Sequence, residues 1–198
     1  MNDSVALSRQ INCLSMLEHN TFVLYQNLAD KSKGALIKSL LLSIAQDSSK
    51  HATLLKGVGD TISVLEVKSK DCAKAIGKIW LAVDNFSREV AEKESDSITS
   101  SELYERLAVL EGNLAEEYDM FVRLRTLKYL TSEINQLYNI DLEKVKAIFV
   151  SIIKDEERHR EILANLMEQV KPKEKPDNTP VIKYRSPDSW IRPIPNTP

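Results

Sequence analysis

The chain has 198 residues, enough for one folded domain with an appendage, and 42% of them are hydrophobic, which supplies an ample core. Its 27 basic and 29 acidic residues nearly balance, so the net charge of −2 gives no argument for binding nucleic acid or an anionic membrane. No apolar run approaches the length of a transmembrane helix, and the first residues lack the features of a signal peptide. We therefore expect a cytoplasmic protein that binds neither nucleic acid nor membrane.

The chain contains two cysteines, Cys13 and Cys72. Two are too few for a four-cysteine iron or zinc site. Because the chain is expected to be cytoplasmic, we do not expect a disulfide between them. Cys72 lies on an apolar stripe, and we interpret it as a small core residue rather than a reactive thiol.

Proline divides the chain into two parts. All seven prolines lie at or beyond Pro172, and residues 1–171 also hold only five glycines. Since proline interrupts helices, this predicts an all-α body over residues 1–171 and an extended, non-helical tail over residues 172–198. The tail is too short and too rich in proline to fold alone. We expect it to dock on its own bundle or on a partner subunit; the alternatives are docking on another protein, or disorder.

Five helices are predicted from apolar residues that recur at spacings of three and four. They span about residues 4–30, 35–56, 69–93, 101–130 and 141–170. We expect Gly57 and Gly59 to end the second helix, and the short turn before it makes the first two helices antiparallel neighbours. The third helix has no ionisable group on its stripe, and we interpret it as a cover or as a crossover between two halves.

Polar side chains interrupt the apolar stripes of the other four helices. Glu156 and His159 are three residues apart, so both lie on the apolar face of the last helix. A carboxylate and an imidazole are costly to bury without partners, and a metal ion is the obvious candidate to compensate them. The polar residues found at core positions are Glu18, Ser48, His51, Glu111, Glu156 and His159.

The sequence also contains an internal repeat. Residues 14–25 and 107–118 both read Leu-x-x-Leu-Glu-x-Asn-x-x-x-x-Tyr, and residues 47–51 and 155–159 both read Asp-x-x-x-His with Lys or Arg before the His. Two helix pairs therefore repeat. Two such pairs related by a pseudo-twofold axis form a four-helix bundle, in which the buried polar groups would converge at the centre.

This arrangement resembles the ferritin-like di-iron carboxylate proteins, and among them the rubrerythrins. Those bundles bring one Glu from each of two helices and a Glu-x-x-His motif from each of the other two. The resemblance covers about residues 4–170, with residues 61–98 as a crossover insertion, and it places Tyr25 and Tyr118 beside the metals. The metal ligands that it implies are Glu18, His51, Glu111, Glu156 and His159.

The resemblance also implies roles for two aspartates. The run from Asp155 to His159 is similar to the Asp-Glu-x-Arg-His motif of this superfamily, in which the Asp bonds the ring nitrogen of the opposite metal-bound His. By analogy, Asp155 would orient His51, and Asp47 would orient His159. His19, the neighbour of a ligand, is expected to be solvated.

The second helix departs from the family pattern at Ser48, where the resemblance implies a Glu that bridges the two metals. Three carboxylates would leave a net charge of about +1 on two divalent ions, which is unfavourable in a core of low dielectric. Asp47 could rotate inward, although its position about 100° round the helix is against this. Otherwise an external anion or hydroxide bridges the metals, or one or both sites stay empty.

We therefore expect a weakened, asymmetric metal site. The half that contains Glu18 and His51 is left short, whereas the other half keeps two carboxylates and one imidazole, a suitable set for one iron, manganese or zinc ion. The cofactor would be two iron ions, or one if the site is asymmetric. On this hypothesis, Ser48→Glu should increase the metal content.

The function that the resemblance implies is that of a non-haem iron oxidoreductase, which reduces peroxide or oxygen or oxidises ferrous iron. The chain lacks the cysteines of a rubredoxin-like domain, so a separate protein would have to donate electrons. A homodimer is expected from the resemblance alone. The alternative, from a different class, is a metal-poor helical bundle that acts in assembly or interaction through its C-terminal tail.

Overall fold

The computed structural model describes residues 3–92, 101–123 and 142–170. Over these residues the chain forms helices and no strand, which confirms the all-α class. The predicted end of the fourth helix near residue 130 and the predicted tail over residues 172–198 lie outside the described residues. The helices are α1 (Asp3–Lys31), α2 (Ala35–Ile62), α3 (Ser69–Ile76), α4 (Lys78–Glu92), α5 (Ser101–Phe121) and α6 (Leu142–Val170).

The long helices pack as two pairs, α1 with α2 and α5 with α6. Within the first pair, Ser8 Oγ donates to the carbonyl of Gly59 (3.0 Å) and Ser15 Oγ donates to the carbonyl of Ala52 (2.7 Å), so the two helices are antiparallel. Helices α3 and α4 lie against α1, α4 also meets α5, and α2 contacts α6. The two helix pairs expected from the internal repeat are therefore present, and α4 lies where a crossover between them would run.

Helix α2 continues through the two glycines that were expected to end it. It runs to Ile62, because Gly59 is a point of close approach between α1 and α2 rather than a helix stop. A Cβ atom at Gly59 would lie 2.5 Å from Nδ2 of Asn12, whereas one at Gly57 would meet nothing within 4 Å. The prediction of a helix end at residue 57 was therefore wrong, because glycine in a helix can also serve close packing.

The third predicted helix is divided into α3 and α4 at Gly77. This glycine has a φ of 73°, in the left-handed region that side chains with a Cβ rarely adopt. Its amide still donates to the carbonyl of Ala73 (3.0 Å), which closes the last turn of α3. The apolar stripe persists across the break, since Ile76 and Trp80 are both buried.

Cys13 and Cys72 form a disulfide bond that joins α1 to α3. The expectation that they would not pair was wrong, because it came from the expected compartment and not from packing. Both cysteines are fully buried, and their Cα atoms lie 5.0 Å apart, within the range that a disulfide spans. The bond therefore fixes the segment after α2 against the first helix.

The core consists of the apolar stripes that the helices turn towards one another. Its largest fully buried side chains include Tyr25, Tyr104, Tyr118 and Phe149, and Phe149 stacks on Phe121 with ring centroids 4.8 Å apart. Among the helices described, none is both long enough and apolar enough to cross a bilayer. The feature that stands out in this core is its polar centre.

Candidate metal centre

Five ionisable side chains from four helices meet in the interior. Glu18 comes from α1, His51 from α2, Glu111 from α5, and Glu156 with His159 from α6. His51 is 1% exposed and the other four are 0% exposed. They form two groups that could each hold an ion, Glu18–His51–Glu156 and Glu111–Glu156–His159, with the facing ligand atoms of each group within 4.8 Å of one another. The structure thus gathers all five predicted ligands.

In the first group, three polar atoms converge without hydrogen-bond partners. Nδ1 of His51 lies 3.0 Å from Oε1 of Glu156 and 3.8 Å from Oε2 of Glu18. These approaches are ion pairs only when His51 is protonated, and all three atoms are buried without a hydrogen-bond partner. Since buried polar atoms are nearly always paired, atoms of this kind aimed at one point suit a cation.

In the second group, Nδ1 of His159 lies 3.2 Å from Oε2 of Glu111 and 3.3 Å from Oε2 of Glu156. Glu156 therefore turns one oxygen towards each group. Sequence reasoning assigned this carboxylate to the second group alone and left the first group short. In the structure Glu156 lies between the two groups and belongs to both.

The outer nitrogens of the two histidines face aspartates of the opposite helix. Nε2 of His51 lies 3.1 Å from Oδ2 of Asp155, and Nε2 of His159 lies 3.3 Å from Oδ2 of Asp47. The contacts expected by analogy are present in both halves. In a neutral imidazole, an acceptor at Nε2 keeps the ring proton there and leaves the lone pair of Nδ1 directed inward, the tautomer that a metal ligand requires.

Lys50 and Arg158 close a ring of ion pairs around these aspartates. Lys50 lies 2.8 Å from Asp47 and 3.0 Å from Asp155, and Arg158 lies 2.6 Å and 3.1 Å from the same carboxylates. Burial alone would raise the pKa of each aspartate, but hydrogen bonds from Lys50 and from the facing histidine lower it. Both aspartates therefore stay ionised and hold the rings in place.

Sequence reasoning gave no role to Lys50 and Arg158. The only available signal was the basic residue that precedes each histidine in the internal repeat. On one helix alone, such a residue is indistinguishable from an ordinary solvated cation. The contact becomes visible only when α2 and α6 are brought together.

Two buried tyrosines bind the carboxylates across the two halves. The hydroxyl of Tyr25 donates to Oε1 of Glu111, and that of Tyr118 donates to Oε1 of Glu18. Burial and the surrounding carboxylates raise the pKa of both tyrosines well above its ordinary value, so both remain protonated donors. The resemblance places both tyrosines beside the centre. It did not predict that each tyrosine donates to a carboxylate of the other helix pair.

The centre attracts positive charge. Burial alone would lower the pKa of the histidines, but the facing carboxylates outweigh it and raise the pKa to about 10 for His51 and about 11 for His159. Burial and the charge of Glu156 raise the pKa of Glu111. The two histidines and Glu111 therefore hold protons strongly, and a metal ion would have to displace them.

Ser48 lies one turn before His51, as Glu156 lies one turn before His159. It is fully buried, and its Oγ has no hydrogen-bond partner. Asp47 does not replace the missing carboxylate, because it faces the outer nitrogen of His159. His19 is exposed, as expected.

Comparison of the chain with protein-family models, with curated proteins and with solved structures found no match. Its function must therefore be argued from the chemistry of its own site. A helical fold alone is compatible with many functions, whereas a buried cluster of carboxylates and imidazoles restricts them. That cluster is the basis of the proposal that follows.

Proposed function

We propose that the chain is a metal-binding protein of the ferritin-like kind, with two metal ions held on either side of Glu156. The observation that carries this proposal is the convergence of three buried, unpaired ligand atoms, Glu18 Oε2, His51 Nδ1 and Glu156 Oε1. An unpaired buried polar atom is costly, and one cation would satisfy all three at once. The second group supports the proposal, because it offers the same residue types around the other oxygen of Glu156.

The proposed ligands form two sets, one for each ion. Glu18 and His51 would hold one ion with an oxygen of Glu156, and Glu111 and His159 would hold the other with its second oxygen. Carboxylate oxygens with imidazole nitrogens suit iron, manganese or zinc, and we propose iron. Bound iron would supply redox chemistry at a position that the four helices shield from bulk water.

We propose that this chemistry is the reduction of peroxide or oxygen, or the oxidation of ferrous iron. The aspartates at the rim hold both imidazoles with Nδ1 inward, while Tyr25 and Tyr118 fix one oxygen each of Glu111 and Glu18. Both cysteines of the chain are bonded to each other, so neither can serve an iron–sulfur electron carrier. Electrons would have to come from a separate donor protein.

The test compares the metal content of Glu156→Ala with that of the wild type after anaerobic ferrous loading and removal of excess iron, using elemental mass spectrometry. Glu157→Ala is the matched control, because Glu157 is the exposed neighbour on the same helix. We expect two irons per chain in the wild type and the control, and loss of both in Glu156→Ala. Undiminished iron in Glu156→Ala would contradict the proposal.

The redox part is tested separately on the loaded protein. We expect hydrogen peroxide to oxidise the bound ferrous iron of the wild type and of Glu157→Ala at the same rate, and faster than it oxidises free ferrous iron. Oxidation no faster than in buffer would leave metal binding in place and remove the oxidoreductase activity.

Ser48 favours a second candidate, a metal-poor bundle that acts in assembly or interaction. A serine replaces one carboxylate of the family pattern. The two tyrosines already donate hydrogen bonds to one oxygen each of Glu18 and Glu111. Protons could neutralise the remaining charge without metal. Failure of the wild type to bind iron, manganese or zinc would select this candidate.

A further inference from the structure

We propose that the centre takes up a small external monoanion beside Ser48, in the place of the carboxylate that the repeat has at Glu156. This inference rests on the proposed metal binding and concerns the class of ligand that completes the site. The chemical class is a carboxylate-like anion of about the size of formate. Three observations carry it: the equivalence of the two halves, the unpaired hydroxyl of Ser48, and the charge of the ligand set.

The contacts around the centre occur in equivalent pairs. His51 faces Asp155 as His159 faces Asp47, and Tyr25 donates to Glu111 as Tyr118 donates to Glu18. The register of the repeat therefore holds at the level of individual atoms. By the same register, Ser48 corresponds to Glu156. At this position one half has a hydroxyl where the other half has a carboxylate.

Once metal is bound, the hydroxyl of Ser48 could serve an anion. Its side chain is fully buried, and Oγ has no partner, so a hydroxyl donor is available for a ligand. Glu156, the equivalent residue, reaches to 3.0 Å from Nδ1 of the histidine of the other half. A glutamate has three more non-hydrogen atoms than a serine, as many as formate contains. A formate-sized anion beside Ser48 would therefore supply the atoms that this half lacks.

The charge of the ligand set selects a monoanion. Glu18, Glu111 and Glu156 carry three negative charges, and the two imidazoles are neutral when they bind metal. Two divalent ions would leave one positive charge uncompensated in a fully buried site, which is unfavourable. One monoanion neutralises the centre, whereas sulfate or phosphate would bring excess charge as well as greater bulk.

The experiment uses the full chain loaded with cobalt(II), whose visible absorption reports on its ligands, in a weakly coordinating buffer. Titration with sodium formate should change the spectrum of the wild type with saturation at one formate per pair of cobalt ions. Ser48→Glu should bind two cobalt ions without formate, and its response to formate should be at least tenfold weaker. Ser49→Glu adds the same charge to the neighbouring position and should respond as the wild type does.

Ser48→Val provides a second variant that adds bulk without charge, in case the buried glutamate prevents folding. We expect it to weaken formate binding at least tenfold. No spectral change with formate in cobalt-loaded wild type would overturn this inference and leave the proposed function standing. Equal responses from the wild type and Ser48→Val would also overturn it. Absence of cobalt binding in the wild type would overturn both.

Discussion

Each histidine of the candidate metal centre presents its two nitrogens to different surroundings. Nδ1 of His51 faces the carboxylates inside, and Nε2 faces Asp155 at the rim. The aspartate is ionised and held by Lys50, so once the ring is neutral it favours the proton at Nε2 and a free lone pair at Nδ1. In the proposed centre, the rim aspartate would prepare this histidine to bind a metal.

Asp155→Asn should therefore weaken metal binding without removing a ligand. The amide loses the charge that holds the proton at Nε2, and partners of this kind contribute about tenfold to 100-fold to metal affinity. Competition with a chelator of known affinity measures the effect. Glu157→Gln, a change of the same chemistry at an exposed position of α6, should bind as the wild type does. Equal affinity in Asp155→Asn and the wild type would show that the rim contact has no such role.

The metal-free protein should lose stability as the pH rises. The pKa of His51 is about 10 in the folded chain, against 6.5 for an ordinary histidine, so its bound proton stabilises the fold fully below about pH 6.5. That contribution is lost as the pH rises towards 10. For each such proton, the free energy of unfolding should fall by about 1.4 kcal/mol per pH unit within this window.

Urea denaturation in the presence of a chelator, at several pH values between 6.5 and 10, measures this slope. His51→Gln should reduce the slope because it removes one of the protons bound in the folded chain. His19→Gln changes an exposed histidine and should keep the wild-type slope. A slope that His51→Gln leaves unchanged would contradict the assignment of the bound proton.

At the scale of single residues, the sequence predicted which side chains are buried better than it predicted their partners. Helical spacing places a residue on a face, which was sufficient for Glu18 and Glu111. It gives no information on the residue opposite. Each of Tyr25 and Tyr118 bonds a carboxylate of the other half, and Glu156 lies between the two groups. These contacts depend on how the helix pairs meet, so only the structure could show them.

Helix α2 shows that two glycines in one helix can have opposite effects. Gly59→Ala should destabilise the fold by about 1–3 kcal/mol, the usual cost of overpacking, because its Cβ would lie 2.5 Å from Nδ2 of Asn12. Asn12 cannot move freely, since Nδ2 donates to the carbonyl of Ser8 (2.9 Å). Gly57→Ala should stabilise the fold by about 0.4–1 kcal/mol, because open space surrounds that position. Urea denaturation compares the two, and equal effects would contradict the packing argument.

The disulfide between α1 and α3 should contribute substantially to stability. It closes a segment of 59 residues in sequence separation, for which loop-closure entropy gives about 4 kcal/mol. Adding a thiol reductant should lower the free energy of unfolding of the wild type by an amount of this order. The Cys13→Ala, Cys72→Ala double variant should unfold identically with and without reductant. Two titratable thiols in the folded, unreduced wild type would contradict the bond.

At the scale of elements, the apolar periodicity predicted that the helices exist and roughly where they lie. It failed at glycines, because a glycine can end a helix, divide it or allow close packing, and the choice depends on the facing residue. Gly59 faces Asn12 and continues the helix, whereas Gly77 adopts a positive φ and breaks it. The prediction about the cysteines failed for a related reason, since pairing depends on the distance between Cα atoms in the fold.

In the whole molecule, the polar centre lies where the two helix pairs meet. The internal repeat predicted both pairs, and equivalent contacts on the two sides confirm that the repeat extends to the arrangement of side chains. Because the ligand groups come from both pairs, bound metal would join them and stabilise the assembled fold. In the proposed centre, Glu156 is shared between two ions.

The most direct test is anomalous X-ray diffraction, at the iron absorption edge, from crystals of the anaerobically loaded protein. We expect two peaks on opposite sides of the Glu156 carboxylate, one beside Nδ1 of His51 and the other beside Nδ1 of His159. The ring centroids of the two imidazoles are 6.2 Å apart. Both peaks should therefore lie close to each other within the buried cluster. No peak within this cluster, or a single peak that does not contact Glu156, would show that Glu156 is not shared between two ions.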